Sequence, residues 1–156
     1  MSNTSLALLV YGSAVVVGRI ALARVPDRLP PLPLGSAALA MICAGMLVMA
    51  VSPTQTALIA GVLCVALGVT FSTPAFFTAI LATAGPGERG AASGTASAFI
   101  DLGLGFGPIA LGLVARSGGI PAALAVAAAI AGLGAVWTLG VQSRRPVPAP
   151  GADPAH

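Results

Sequence analysis

Long runs of apolar residues, separated by short polar or proline-rich stretches, make up most of the chain. A helix needs about 18 or more such residues to cross a hydrocarbon core of roughly 30 Å. The runs that reach this length cover residues 5–23, 34–51, 56–84, 91–115 and 120–141. The pattern therefore predicts five transmembrane helices. The Pro- and Ala-rich residues 142–156 hold too few bulky apolar side chains to fold, and we expect a disordered tail there.

Prolines shape two places in this pattern. Four prolines in residues 24–33 fix φ and remove backbone donors, so the first helix is expected to end before them. Pro74 interrupts the third run near its middle. We expect a kink there rather than a break, because the hydroxyls of Thr70, Ser72 and Thr73 can satisfy the carbonyls that the proline frees.

The composition indicates whether these helices are surrounded by water or by lipid. Hydrophobic residues make up 57% of the chain and charged residues 7%, and the mean hydropathy is +1.00. Soluble domains carry about 25% charged residues, so this chain cannot cover a water-facing surface in the usual way. The predicted fold class is all-α, a polytopic membrane protein embedded in a lipid bilayer.

The titratable residues exclude several classes of function. The net charge of +3 is the balance of seven arginines and four acids, and the arginines are scattered among apolar runs, which is a poor pattern for a nucleic-acid groove. Cys43 and Cys64 lie in apolar runs, and His156 is the only histidine, so neither a metal site nor a disulfide framework is expected. No enzymatic motif and no cofactor-binding motif occurs. We therefore expect neither an enzyme nor a cofactor.

The arginines also predict how the chain is oriented. Short cytoplasmic loops hold an excess of Lys and Arg. The ends of successive helices alternate between the two sides of the membrane. One side would hold Arg116 alone, and the other would hold six arginines: Arg19, Arg24, Arg28, Arg89, Arg144 and Arg145. The N-terminus is therefore predicted outside, and the C-terminal tail in the cytoplasm.

Asp101 is the single acid in the long interval between Arg89 and Arg116. It lies ten residues beyond Ala91, about 15 Å along a helix and near the bilayer midplane. A lipid-exposed carboxylate there costs roughly 2.5–3.5 kcal/mol on insertion scales. The residue must face protein or a wet cavity, or stay protonated. A role in proton or cation coupling, a contact with substrate and a purely structural hydrogen bond all remain open.

Helical periodicity places Asp101 on a face of small residues that includes Ser97. The bulky residues Phe99 and Phe106 lie about a third of a turn away, where lipid contact is expected. The small face suits close helix packing or a cavity wall. Two GxxxG pairs, Gly90 with Gly94 and Gly103 with Gly107, would permit close approach between helices and are candidates for helix packing.

A second polar patch surrounds Pro74. Thr70, Thr73 and Phe77 could line a substrate path together with Pro74, since aromatic rings supply apolar contact to an organic solute. Hydroxyls in membrane helices also commonly bond to their own backbone. Both interpretations of the patch remain open.

Two segments of the chain resemble a known family. The stretch "GRIALARVPDRLP" is similar to the cytoplasmic loop between helices eight and nine of major facilitator superfamily transporters. Asp27 and Arg28 stand at the Asp-Arg of that loop signature, and Arg24 lies beside them. Ala23 and Pro30 replace the glycines of the usual pattern.

The second segment, residues 74–115, resembles helices ten and eleven of proton-driven efflux members. The matching features are a proline in helix ten, a Glu-Arg-Gly turn at Glu88 and Arg89, and an Asp-Leu-Gly-x-Gly-x-Gly-Pro run that begins at Asp101. The resemblance implies that residues 1–141 are helices eight to twelve, most of the C-terminal half of a twelve-helix fold. It also implies that the first seven helices are missing.

The leading hypothesis is a partial chain of a proton-coupled exporter in the plasma membrane, with Asp101 facing the central cavity. Its partners would be protons, a small organic solute and a missing N-terminal half. The alternative is a truncated or non-transporting membrane protein, or a subunit that packs against another chain. A small transporter that works as a homodimer is a third possibility.

Overall fold

Helices account for every regular element that the structure describes. The computed structural model describes residues 5, 9, 12, 13, 16–18, 30–52, 54–85 and 87–144. Within them lie α1 (Pro31–Val51), α2 (Gln55–Thr83) and α3 (Arg89–Ser143), each long and apolar enough to cross a membrane. The described residues of the first predicted span, between Ser5 and Gly18, are also helical. The prediction of an all-α membrane protein is confirmed.

α1 begins three residues before the predicted span. Pro31 and Pro33 lie in its first turn rather than in the preceding loop, and Pro30 is the N-cap residue. Proline is favoured at the start of a helix because the N–H that it lacks has no intrahelical acceptor there. The Ser36 hydroxyl donates to the Pro33 carbonyl at 2.9 Å.

α2 begins after a polar cap and continues through its internal proline. The Thr54 hydroxyl oxygen accepts from the Ala57 N–H at 3.3 Å, which satisfies one donor of the first turn. The helix remains a single element across Pro74. Because Pro74 has no N–H, the Thr70 carbonyl loses its usual donor. The nearby hydroxyls donate elsewhere: Thr70 to the Ala66 carbonyl and Ser72 to the Val69 carbonyl. The expectation that they satisfy the freed carbonyl is therefore wrong.

α3 consists of two limbs joined at Gly119. A straight helix of 55 residues would be about 80 Å long, far more than a bilayer core of roughly 30 Å. Gly119 interrupts it with φ 76° and ψ 175°, a conformation that is essentially restricted to glycine. Residues of both limbs line one apolar cavity of about 280 Å³, from Gly107 before the break to Ile130 after it. The limbs, residues 89–118 and 120–143, therefore fold back beside each other and occupy the positions of the fourth and fifth predicted spans.

Small residues form the packed interior. Every buried apolar residue in the described part of the chain is an alanine: Ala38, Ala66, Ala75, Ala79, Ala128 and Ala135. Many large apolar side chains are exposed instead, including Leu133 and Trp137 on the second limb of α3. A soluble protein buries its large apolar residues, whereas membrane helices pack through small residues and turn large ones to lipid. The distribution is that of a bundle that packs within a bilayer.

α1 is the central helix of the described bundle and packs against both α2 and α3. Its contact with α3 involves the second limb, where added Cβ atoms at Gly132 and Gly134 would lie 3.3 Å from the Cys43 sulfur and 3.2 Å from Leu39 Cδ1. The first limb is different, because no residue in 89–118 is buried. The predicted tail lies outside the described residues from position 145 onward.

Candidate functional site

A cavity of about 410 Å³ lies between α1, α2 and the first limb of α3. α1 contributes Leu39, and the first limb contributes Ala96, Phe99 and Ile100. Small-molecule sites in proteins have volumes of roughly 300–1,000 Å³. The cavity is therefore large enough for a small organic molecule.

The α2 wall of this cavity is formed by the segment around Pro74. Phe76, Phe77 and Ile80 supply its apolar surface, and Ser72 and Thr73 supply its hydroxyls. The Phe76 ring also packs against α1, since an added Cβ at Gly35 would lie 3.1 Å from Phe76 Cζ. Three phenylalanine rings from two helices thus surround this space, and none of its lining residues in the described part of the chain is charged.

The two hydroxyls in the cavity wall differ in their bonding. Ser72 donates to the Val69 carbonyl of its own helix at 3.3 Å. Thr73 is exposed and makes no hydrogen bond with any residue that the structure describes. Its hydroxyl is therefore the polar group of this wall that is available to another molecule.

Thr70 and Pro74 do not line the cavity. Thr70 is buried, and its hydroxyl donates to the Ala66 carbonyl at 2.7 Å. Its side chain packs against Gly18, since a Cβ added at Gly18 would lie 3.6 Å from Thr70 Oγ1 and Cγ2. From the sequence, Thr70 is a candidate for the cavity lining. In the structure it does not line the cavity, and its hydroxyl is satisfied within its own helix. Pro74 is half-buried in α2.

Asp101 lies on the first limb of α3, exposed and outside the set of cavity-lining residues. Successive helical residues are 100° apart, so Asp101 is rotated about 100° from Ile100 and about 140° from Ala96. Within the described part of the chain, its carboxyl group has neither a hydrogen bond nor an ion pair. Ser97 is one turn earlier on the same face, also exposed and also outside the cavity. The structure therefore places the acid and the cavity on different faces of one helix.

Glu88 and Arg89 lie where α2 is connected to α3. The Gly85 N–H donates to a Glu88 carboxylate oxygen at 3.4 Å, and the Glu88 backbone carbonyl accepts from the Ala92 N–H at 2.9 Å. Arg89 is the first residue of α3 and is exposed. The other members of the predicted loop motif, Arg24, Asp27 and Arg28, lie outside the described residues.

Phe99 shows where sequence periodicity was insufficient. The pattern assigned it to the lipid-facing side of its helix, and it is indeed 71% exposed, yet it lines the cavity. Leu39, Ala96 and Ile100 carried no signal in the sequence, because apolar residues occur everywhere in these runs. Phe76 could have been found, since it is adjacent to Phe77 beside the internal proline.

Comparison with known proteins agrees with this architecture. The sequence model of the Major Facilitator Superfamily matches residues 1–156. An uncharacterized MFS-type transporter of Salmonella typhimurium is 34% identical over 134 residues, which is 85% of this chain and 34% of that protein. Uncharacterized MFS-type transporters of Burkholderia mallei and Burkholderia pseudomallei are 32% identical over 135 residues, 83% of this chain and 33% of theirs.

No solved structure gives a significant match to the chain. The chain spans about a third of the length of the curated relatives that it matches. Helices with lipid-facing apolar side chains, packing through small residues and a match along the whole sequence all agree. This chain is a multi-pass membrane protein that belongs to the Major Facilitator Superfamily of transporters.

Proposed function

We propose that the chain acts in a proton-coupled exporter of small organic solutes in the plasma membrane, with Asp101 as the proton-binding residue. The observation that carries this proposal is the position of Asp101. Among the described residues between Arg89 and Arg116 it is the only titratable side chain, and no described residue pairs with it. Near the bilayer midplane, an acid without a fixed partner can bind and release protons as its surroundings alternate between apolar and wet.

The exposed first limb of α3 supports a further part of the proposal. Added Cβ atoms at Gly94, Gly105 and Gly112, on the same face as Asp101, would meet nothing within 4 Å. This open face allows the backbone of another helix to approach closely. We propose that further polypeptide of the whole transporter, or another membrane chain, covers it and provides the second wall of a solute path.

A transport assay tests the proposed function. The chain is expressed from its complete gene, and inside-out vesicles are energised by respiration to acidify their lumen. A panel of small organic solutes is then added while an aminoacridine dye reports the pH gradient. We expect at least one solute to release part of the gradient only in vesicles that contain the protein, because export into the lumen returns protons. If every solute gives the same response without the protein, proton-coupled export is excluded for that panel.

A reporter fusion tests the proposed orientation. A fluorescent protein fused after His156 is expected to fluoresce, and alkaline phosphatase at the same position is expected to be inactive, because the arginine distribution predicts a cytoplasmic tail. The same two reporters inserted after Gly118, between the limbs of α3, should give the reverse result. The opposite pattern at either position would contradict the orientation.

A further inference from the structure

We propose that the cavity between α1, α2 and the first limb of α3 binds uncharged aromatic solutes, and that Asp101 does not contact the bound solute. This inference rests on the proposed function and adds the substrate class. It also separates the binding site for the solute from the binding site for the proton.

The cavity lining supports an uncharged ligand. Phe76, Phe77 and Phe99 contribute three rings to a space of about 410 Å³. None of the described residues that line the cavity is Asp, Glu, Lys, Arg or His, so against this lining a charged ligand would lose its hydration without gaining a counter-charge. Edge-to-face and offset contacts between aromatic rings contribute binding free energy beyond the burial of their apolar area, which favours a ligand that carries a ring. An uncharged molecule with an aromatic ring fits these conditions best.

Thr73 adds a polar contact to this site. Thr70 and Ser72, on the same helix, donate to carbonyls of their own backbone, whereas Thr73 makes no such bond within the described part of the chain. A ligand hydroxyl or carbonyl group placed against Thr73 would gain a hydrogen bond in an otherwise apolar space. We therefore expect ligands with one hydrogen-bonding substituent to bind better than hydrocarbons.

The position of Asp101 limits how proton binding at this residue can affect solute binding in the cavity. It is one residue after Ile100, which lines the cavity, but about 100° further around the helix. Solute and proton therefore cannot compete for the same atoms. Any coupling between them must pass through movement of the first limb of α3, which carries both groups. Replacing Asp101 removes no contact with the solute, so saturable binding at this cavity should persist in the variant.

Photolabelling of the full chain tests the site directly. The protein, expressed from its complete gene, is placed in phosphatidylcholine nanodiscs and irradiated with three benzophenone probes of one ring system: neutral hydroxymethylbenzophenone, anionic benzoylbenzoate and cationic benzoylbenzyl-trimethylammonium. Mass spectrometry compares labelling of residues 72–80 and 96–100 with labelling near Phe106, an exposed ring on the same limb that is outside the cavity. The Phe106 signal corrects for partitioning of each probe into lipid.

The neutral probe is expected to label the cavity segments saturably and to be displaced by unlabelled diphenylmethanol. The charged probes should show no saturable component. Phe77→Ala should weaken neutral-probe binding about 3-fold to 10-fold, and the matched Phe106→Ala should not. Asp101→Asn should still show saturable labelling of the same cavity segments, because no contact with the probe is lost. Labelling that does not saturate, an unchanged affinity of Phe77→Ala, or equal saturable labelling by a charged probe would each overturn the proposal.

A subtler variant covers the case in which Phe77→Ala does not fold, as judged by its helical circular dichroism. Thr73→Val keeps the shape of the side chain and removes the hydroxyl. It should reduce the preference for hydroxymethylbenzophenone over methylbenzophenone about 2-fold to 10-fold, whereas Thr78→Val, outside the cavity, should not. An unchanged preference would overturn the role of Thr73. Saturable binding without proton-driven transport would refute the proposed function alone; transport without saturable binding would refute this site alone.

Discussion

Replacing Asp101 by asparagine is expected to reduce solute-dependent proton release from energised vesicles to the level of vesicles without the protein. The amide is nearly the same size as the carboxyl group and keeps most of its hydrogen-bonding capacity, but it cannot bind and release a proton. It also removes the cost of placing a charge near the bilayer midplane, so the fold is expected to be retained. The assay is the dye-based measurement described for the parent protein.

Two variants make this result specific. Asp101→Glu retains a titratable carboxyl group at the same position and is expected to keep part of the coupled transport. Asp153→Asn neutralises an acid in the tail and should leave transport at the parental level. Full proton-coupled transport by Asp101→Asn, at a matched amount of protein in the membrane, would show that this residue is not the coupling group.

The second large effect is expected from the contact between α1 and α2. A Cβ added at Gly68 would lie 2.6 Å from the Ala38 carbonyl oxygen and 2.5 Å from Ile42 Cγ1. A backbone oxygen cannot move away unless α1 itself moves. Gly68→Ala is therefore expected to lower the free energy of unfolding by about 1–3 kcal/mol, the range for overpacking a tight interface. Unfolding in mixed micelles of dodecyl maltoside and SDS, followed by circular dichroism, measures the change.

Gly103→Ala is the matched control for this variant. Gly103 is also in a helix interior, but an added Cβ there would meet nothing within 4 Å. The free energy of unfolding is expected to stay the same or to rise slightly, since alanine favours helix more than glycine does. Equal stabilities of Gly68→Ala and Gly103→Ala would show that α1 and α2 do not approach as closely as described.

The glycine pairs singled out in the sequence do not form the close helix contact of the described structure. Gly90 with Gly94, and Gly103 with Gly107, have the spacing of a helix-packing motif, yet none of the four meets a neighbour within 4 Å in the described structure. The close contact lies elsewhere: an added Cβ at Gly45 or at Gly61 would lie 2.6 Å from the carbonyl oxygen of the other. Spacing shows only that a helix has a small face, and it does not identify the helix that packs there.

Only some residues of the proposed site could be predicted from the sequence. Thr73 and Phe77 could be selected because a polar and aromatic patch around a proline is unusual in an apolar helix. Phe99 could not, because its neighbour across the cavity is on a helix whose position depends on packing. Counting residues predicts the depth of Asp101, but the direction in which it faces depends on how the first limb of α3 is rotated against α2.

The sequence by itself determined that this is an all-α membrane protein and the family to which it belongs, and it predicted approximate positions for the helices that the structure describes. These properties follow from run length, composition and local motifs, and the bilayer imposes them on each segment independently. Only the tertiary structure decided that the chain turns back at Gly119, that alanines and glycines form the interior, and that the cavity and Asp101 lie on different faces of α3. Those features depend on contacts between segments that are distant in the sequence, and almost uniformly apolar runs carry little information about which faces meet.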